Sequence, residues 1–121
     1  MKYLLLVNGD ESSWQARSDE ERTAAMAEYE RFGEDLRSSG AYVDSARLSP
    51  TTTATTVRVR GGETLTTDGP FAETKEQLGG FYLIDVETLD EALAWAARIP
   101  AARDGSIEVR PLWPVPAEVT A

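Results

Sequence analysis

Gly80-Phe81-Tyr82-Leu83-Ile84-Asp85-Val86 is the stretch that decides the fold, because it carries apolar side chains on both of its alternating faces. In an extended chain successive side chains point to opposite sides, so Phe81 and Leu83 share one face and Tyr82 and Ile84 the other. Lys2-Tyr3-Leu4-Leu5-Leu6-Val7 has the same character, with Leu4 and Leu6 on one face and Tyr3, Leu5 and Val7 on the other. A strand that is apolar on both sides belongs in the middle of a sheet that is covered twice.

The segments between these strands read as helices and a hairpin. Asn8-Gly9-Asp10 breaks the first strand, and Ser18 with Glu21 three positions on is a capping box that opens a helix. Ala25, Tyr29, Phe32 and Leu36 continue it at helical spacing, and Gly40 supplies the left-handed residue at which it ends near Ser39. The mixed charges of Glu28, Glu30, Arg31, Glu34 and Arg37 read as its solvated face. Ala41 to Leu48 is a second outer strand. The β-branched run Thr51 to Thr56 leads into Val57-Arg58-Val59-Arg60, and Gly61-Gly62 turns that strand tightly into Glu63-Thr64-Leu65-Thr66.

After the second central strand, Thr88 and Glu91 repeat the capping signature, and the spacing predicts a helix that buries Leu89, Leu93, Ala96 and Ile99. Pro100 and Gly105 end it ahead of a last strand, Ser106 to Trp113. The order is therefore β-α-β, an inserted hairpin, then β-α-β. This is an α+β, ferredoxin-like split βαβ arrangement: one antiparallel sheet with two helices on a single face. Residues 1–113 form the domain, and Pro114 and Pro116 predict an extended tail over residues 114–121.

Composition narrows the function classes. A chain of 121 residues holds one core, and 41% apolar with 27% charged residues is a globular mix. No apolar run reaches the length of a membrane helix, and the opening lacks the features of an export signal. With no cysteine and no histidine, the chain lacks a thiolate nucleophile, zinc-thiolate ligands and the commonest proton shuttle near neutral pH. A cytoplasmic location follows as the expectation. The formal net charge of −9 opposes nucleic acid and anionic membranes as partners. Gly61-Gly62 and Gly79-Gly80 lack the spacing of nucleotide-binding loops, so no cofactor is called for.

Two helices cover one face of a sheet, and the central strands are apolar on both. The sequence places Tyr3, Leu5 and Val7, with either the Phe81/Leu83 or the Tyr82/Ile84 row, on the uncovered face. Such a patch marks association, and a second copy of the same sheet covers it most simply, giving a homodimer. The competing arrangement folds the hairpin or the tail over that face.

The polar segment Asp68-Gly69-Pro70-Phe71, followed by Glu73-Thr74-Lys75-Glu76 and Gly79-Gly80-Phe81, resembles the DGPF branch of the YCII-related family. The opening Lys2-Tyr3-Leu4-Leu5-Leu6 and the ending Ile107-Glu108-Val109-Arg110-Pro111 are similar to that family as well. The resemblance runs from about residue 1 to residue 113. It implies a ferredoxin-like subunit that forms a dimeric α+β barrel, in a superfamily of isomerase-like enzymes, haem-related monooxygenases and ligand-binding regulators. The wider family often carries a His-Asp pair proposed as catalytic; this chain has no histidine. The resemblance also implies a setting beside sigma factors or stress responses.

Two function classes follow. In the first, the chain is a small-molecule-binding homodimer with acid-base activity of the isomerase, lyase or cofactor-free oxygenase kind. Asp68 is then the general base, and Lys75 or Tyr82 its electrostatic partner. Asp10, Arg58, Phe71 and Glu73 are the remaining ligand-binding candidates. Each also has a plain structural reading. Asp68 before Gly69 can make an Asx-turn, Asp10 can finish the turn after Asn8-Gly9, Arg58 can protect a strand edge, and Tyr82 can belong to the core. Glu73 and Lys75 can be an exposed charged loop, and Asp68 with Glu73 is too sparse for a metal site. In the second class the protein is a non-catalytic regulatory or accessory factor that acts on a protein partner.

Overall fold

Strand β1 spans Lys2–Gly9 and β5 spans Gln77–Asp85; in the computed structural model, which describes residues 1–114, they pair antiparallel at the centre of the sheet. The outer strands are β2 (Tyr42–Arg47), beside β5, and β6 (Ser106–Pro111), beside β1, giving the order β2-β5-β1-β6. All three pairings are antiparallel. This is the split βαβ topology that the sequence predicts, and the fold is α+β and ferredoxin-like.

The helices follow their caps. In α2 (Asp19–Ser39) the Ser18 hydroxyl accepts from the Glu21 N–H at 3.1 Å, and the Glu21 carboxylate accepts from the Ser18 N–H at 3.0 Å. Two otherwise orphaned amides are thereby satisfied. In α3 (Leu89–Arg98) the Thr88 hydroxyl accepts from the Glu91 N–H at 3.2 Å. Strands β3 (Thr55–Arg60) and β4 (Glu63–Asp68) form a separate two-stranded ribbon. Its turn glycines have φ of +57° at Gly61 and +81° at Gly62, the left-handed pair that a tight hairpin needs.

Three features differ from the sequence reading. A five-residue helix, α1 (Glu11–Gln15), follows β1 where a plain turn was expected, and Asp10 is its N-cap. Helix α3 buries Ala96 and Ile99 as expected, but Ala92 joins them in place of Leu89 and Leu93, which are 48% and 46% exposed. Small alanines let the helix approach the sheet closely, and the space beside them is filled by Trp95, whose ring meets Phe32 edge-on at 6.0 Å.

The third difference concerns which row faces which way. Directly paired residues share a face, and Tyr3 lies opposite Ile84, Leu5 opposite Tyr82 and opposite Val109. That row packs with Phe32 and Leu36 of α2 into the core, so Tyr3, Leu5 and Val7 face the helices instead of the uncovered side. The uncovered face carries Leu4, Leu6, Phe81 and Leu83, which are half-buried and take no part in the core cluster. Tyr3, Leu5 and Ile84 are buried in this core and Tyr82 packs against it, its ring meeting Phe32 of α2 edge-on.

No helix among the described residues is long and apolar enough to cross a membrane. The expected tail begins at Pro114, and its residues 115–121 lie outside the described part of the chain.

Candidate functional site

The end of β1 is where the chain opens a cleft. A bulge between Val7 and Asn8 shifts the β1–β5 register, and the strand then turns into α1 through Asp10. Asp10 accepts from the Ser12 N–H at 3.0 Å, from the Ser12 hydroxyl at 2.6 Å and from the Ser13 hydroxyl at 3.3 Å. These bonds hold its carboxyl below the usual carboxylate range, the Ser12 hydroxyl contributing most. Next to it, Glu11 reaches Thr51, accepting from the N–H at 2.8 Å and from the hydroxyl at 2.7 Å, while the Glu11 N–H donates to Gln77 Oε1 at 2.9 Å. Helix α1 is thus tied both to the β2–β3 connection and to the start of β5.

Between α1, the first half of α2 and the helix-facing side of the sheet lies an open cleft of about 1150 Å³. Its inner wall is apolar and aromatic, with Val7, Ala25, Tyr29 and Tyr82, and Trp14 of α1 and Arg47 of β2 also line it. The guanidinium of Arg47 lies over the Trp14 ring, 5.4 Å from its centroid, and that of Arg17 lies 5.3 Å from the same centroid. Such cation–π contacts fix long side chains that would otherwise swing in water.

Two phenols sit on the inner wall. Tyr82 packs edge-on against Phe32, with centroids 5.0 Å apart, and burial pushes its hydroxyl up to about 12. Burial also raises Tyr29, against the lowering effect of its hydrogen bond with the Ala101 backbone and of nearby Arg17 and Arg47. At neutral pH both are neutral O–H groups beside an apolar wall, able to donate to a bound acceptor.

Of the residues singled out from the sequence, the cleft gathers Tyr82 and, at its rim, Asp10. The others lie elsewhere. Arg58 and Asp68 are exposed on the β3–β4 ribbon, and Phe71, Glu73 and Lys75 are exposed in the loop that follows it, Phe71 at 79%. Within one chain Asp68 borders no part of this cleft. Trp14, Arg47 and Tyr29 were not read as site residues from the sequence. Trp14, the one large apolar side chain between Asp10 and Arg17, was the one available signal. The meeting of Trp14 with Arg47 depends on the sheet register and was not visible locally.

The chain is 48% identical over 114 residues to the uncharacterized protein R00369 of Rhizobium meliloti (strain 1021), an alignment covering 93% of this chain and 92% of that one. Residues 1–116 match the YCII-related domain. With a matched domain spanning almost the whole sequence, and a relative that aligns along nearly its full length, the chain belongs to the YCII-related family.

Proposed function

We propose that this protein binds a small organic molecule in the cleft between α1, α2 and the sheet, and that it works as a homodimer joined through the uncovered sheet face. The observation that carries the binding reading is the cleft's composition: an apolar aromatic wall with two neutral phenols, and the Arg47 guanidinium, which has no ion pair among the described residues, in the same lining. Concave sites with a few placed polar groups on an apolar lining are the usual form of a small-molecule site. The dimer reading rests on Leu4, Leu6, Phe81 and Leu83, an apolar row outside the core on a sheet whose helices lie on the other side.

Chemistry in this cleft would rest on hydrogen-bond donation by Tyr82 and Tyr29 more than on a carboxylate base. Asp10 is held ionised by its capping bonds, and both oxygens of Glu11 are committed to Thr51. An acid-base role for Asp68, with Lys75, requires the ribbon of one subunit to reach the ligand of another. Asp68→Asn decides this. Unchanged affinity and turnover for a cleft ligand removes Asp68 from the chemistry, and loss of turnover with affinity retained restores it as the base.

The binding reading is tested by a fragment screen on the ¹⁵N-labelled full chain. Hits are expected to shift Trp14, Tyr82 and their neighbours. Hits that instead cluster on residues 55–75 would refute the cleft.

A second reading, an accessory protein acting on a protein partner, draws support from the same ribbon. Val57 and Val59 are each 60% exposed, and an isolated two-stranded ribbon is marginal in water. Native-mass analysis of the chain isolated from its own cells tests it, and recovery of the chain bound only to itself ends it.

A further inference from the structure

The polar groups of the cleft are not equally committed. Four arginines line it: Arg17, Arg22, Arg47 and Arg103. Arg17 pairs with Asp104 at 2.5 Å and Arg103 with Glu28 at 2.5 Å. Arg22 pairs with Asp19 at 2.7 Å and also donates to the backbone carbonyls of Gln15 at 3.2 Å and Arg17 at 2.8 Å, closing the end of α1. Arg47 is different. Among the described residues it makes no ion pair, and its contacts are the Trp14 ring and, at 3.7 Å, the Met26 sulfur.

The acidic groups of the lining show the opposite pattern. Asp104 and Glu28 are neutralised by the arginines named above. Asp10 accepts from Ser12 and Ser13, Glu21 from the Ser18 N–H and Glu11 from Thr51. The carboxylates are thus supplied with donors, whereas among the described residues the Arg47 guanidinium has only the weak Met26 sulfur as acceptor and the Tyr82 hydroxyl has none.

We infer that the ligand of this cleft is a small organic monocarboxylate with a flat apolar body, its carboxylate held by Arg47. This rests on reading the cleft as the ligand site. One amino group of Arg47 faces the Met26 sulfur, a weak acceptor, and the remaining N–H donors of the guanidinium can meet the two oxygens of a carboxylate. The flat body would lie along Val7, Ala25 and the tyrosine rings, where Tyr82 and Tyr29 offer donors to a second oxygen of the ligand. A single charge is specified because Arg47 alone of the four guanidiniums has no ion pair among the described residues, and in a lining that holds five carboxylates a second negative charge would have no cation to meet.

The test titrates the labelled full chain with benzoate, benzamide, benzylammonium and phenyl phosphate, following the Trp14 indole N–H and the cleft amides. Benzoate is expected to bind at least about tenfold more tightly than the other three. Arg47→Gln should bring benzoate down to the level of benzamide, and Arg47→Lys should restore part of the difference. The Arg47 side chain is exposed, so a native spectrum of the variants is expected and is checked in the same experiment. If benzamide or benzylammonium shifts the cleft as strongly as benzoate, or Arg47→Gln leaves benzoate unchanged, the carboxylate assignment is overturned while the cleft remains a binding site. Stronger binding of phenyl phosphate overturns the single charge. If none of the four moves a cleft resonance, the binding reading falls too.

Discussion

Replacing Tyr82 with Phe should make the protein less sensitive to alkali while leaving its stability at neutral pH nearly unchanged. Burial raises the folded-state ionisation of this phenol from 10.0 to about 12. The folded state therefore disfavours the phenolate. The stability linked to this is fully present below pH 10 and is lost as the pH rises from 10 toward 12. Two pH units correspond to about 2.7 kcal/mol, and since the side chain is only partly shielded from water the expected loss is reduced to about 1 kcal/mol. Urea unfolding followed by far-UV circular dichroism at pH 8 and at pH 11.5 measures it. The wild type should lose about 1 kcal/mol more than Tyr82→Phe between the two conditions. Equal losses would show that Tyr82 ionises as though in water, and the shielded phenol at the cleft wall would have to be abandoned.

Leu36 is fully buried between α2 and the sheet, and Leu36→Ala should cost about 2–5 kcal/mol in urea unfolding; a cost below about 1 kcal/mol would contradict the core described. Thr88→Ala removes the cap of α3 and should cost about 1 kcal/mol, with Thr88→Ser recovering most of it, as thermal unfolding would show. At Gly105 an added Cβ would stand 2.1 Å from the Asn8 carbonyl oxygen, so Gly105→Ala must displace β6 from β1. Loss of amide-exchange protection at Val7 and Ile107 is the expected signature, and retained protection would refute the close approach.

How far the sequence discloses this molecule depends on the range of the forces involved. Both central strands, the two long helices with their caps and the Gly61-Gly62 turn are written in neighbouring residues, because alternation, capping and turn chemistry act over a few positions. Helix α1 escaped notice since Asp10 to Arg17 has no apolar period; its stability comes from the Asp10 cap and from the bonds of Glu11 to Thr51 and Gln77, distant in the chain. Leu89 and Leu93 of α3 were misread as buried because leucines outweigh alanines on any hydrophobic count, while the decisive factor is how close a helix can approach. In the sheet two apolar rows compete, and the row that packs with α2 is Tyr3, Leu5, Tyr82 and Ile84.

The candidate site divides along the same line. Tyr82, within the second central strand, and Asp10, just after the first, were both among the residues the sequence singled out. Asp68, Lys75, Arg58, Phe71 and Glu73 drew notice by their motif, yet in one chain they stand on the projecting ribbon and its loop, apart from the cleft. Arg47 and Trp14 meet only through long-range geometry, and no local pattern announces that meeting.

The proposed homodimer needs a sheet with two apolar faces, one covered by the helices and the other by a second copy. Sedimentation velocity on the wild type and on Leu83→Arg, at micromolar concentration, is the most direct measurement. The wild type should sediment at twice the mass of one chain, and the variant, with a charge placed in the apolar row, as a folded single chain. A wild type that sediments as one well-folded chain would contradict the account.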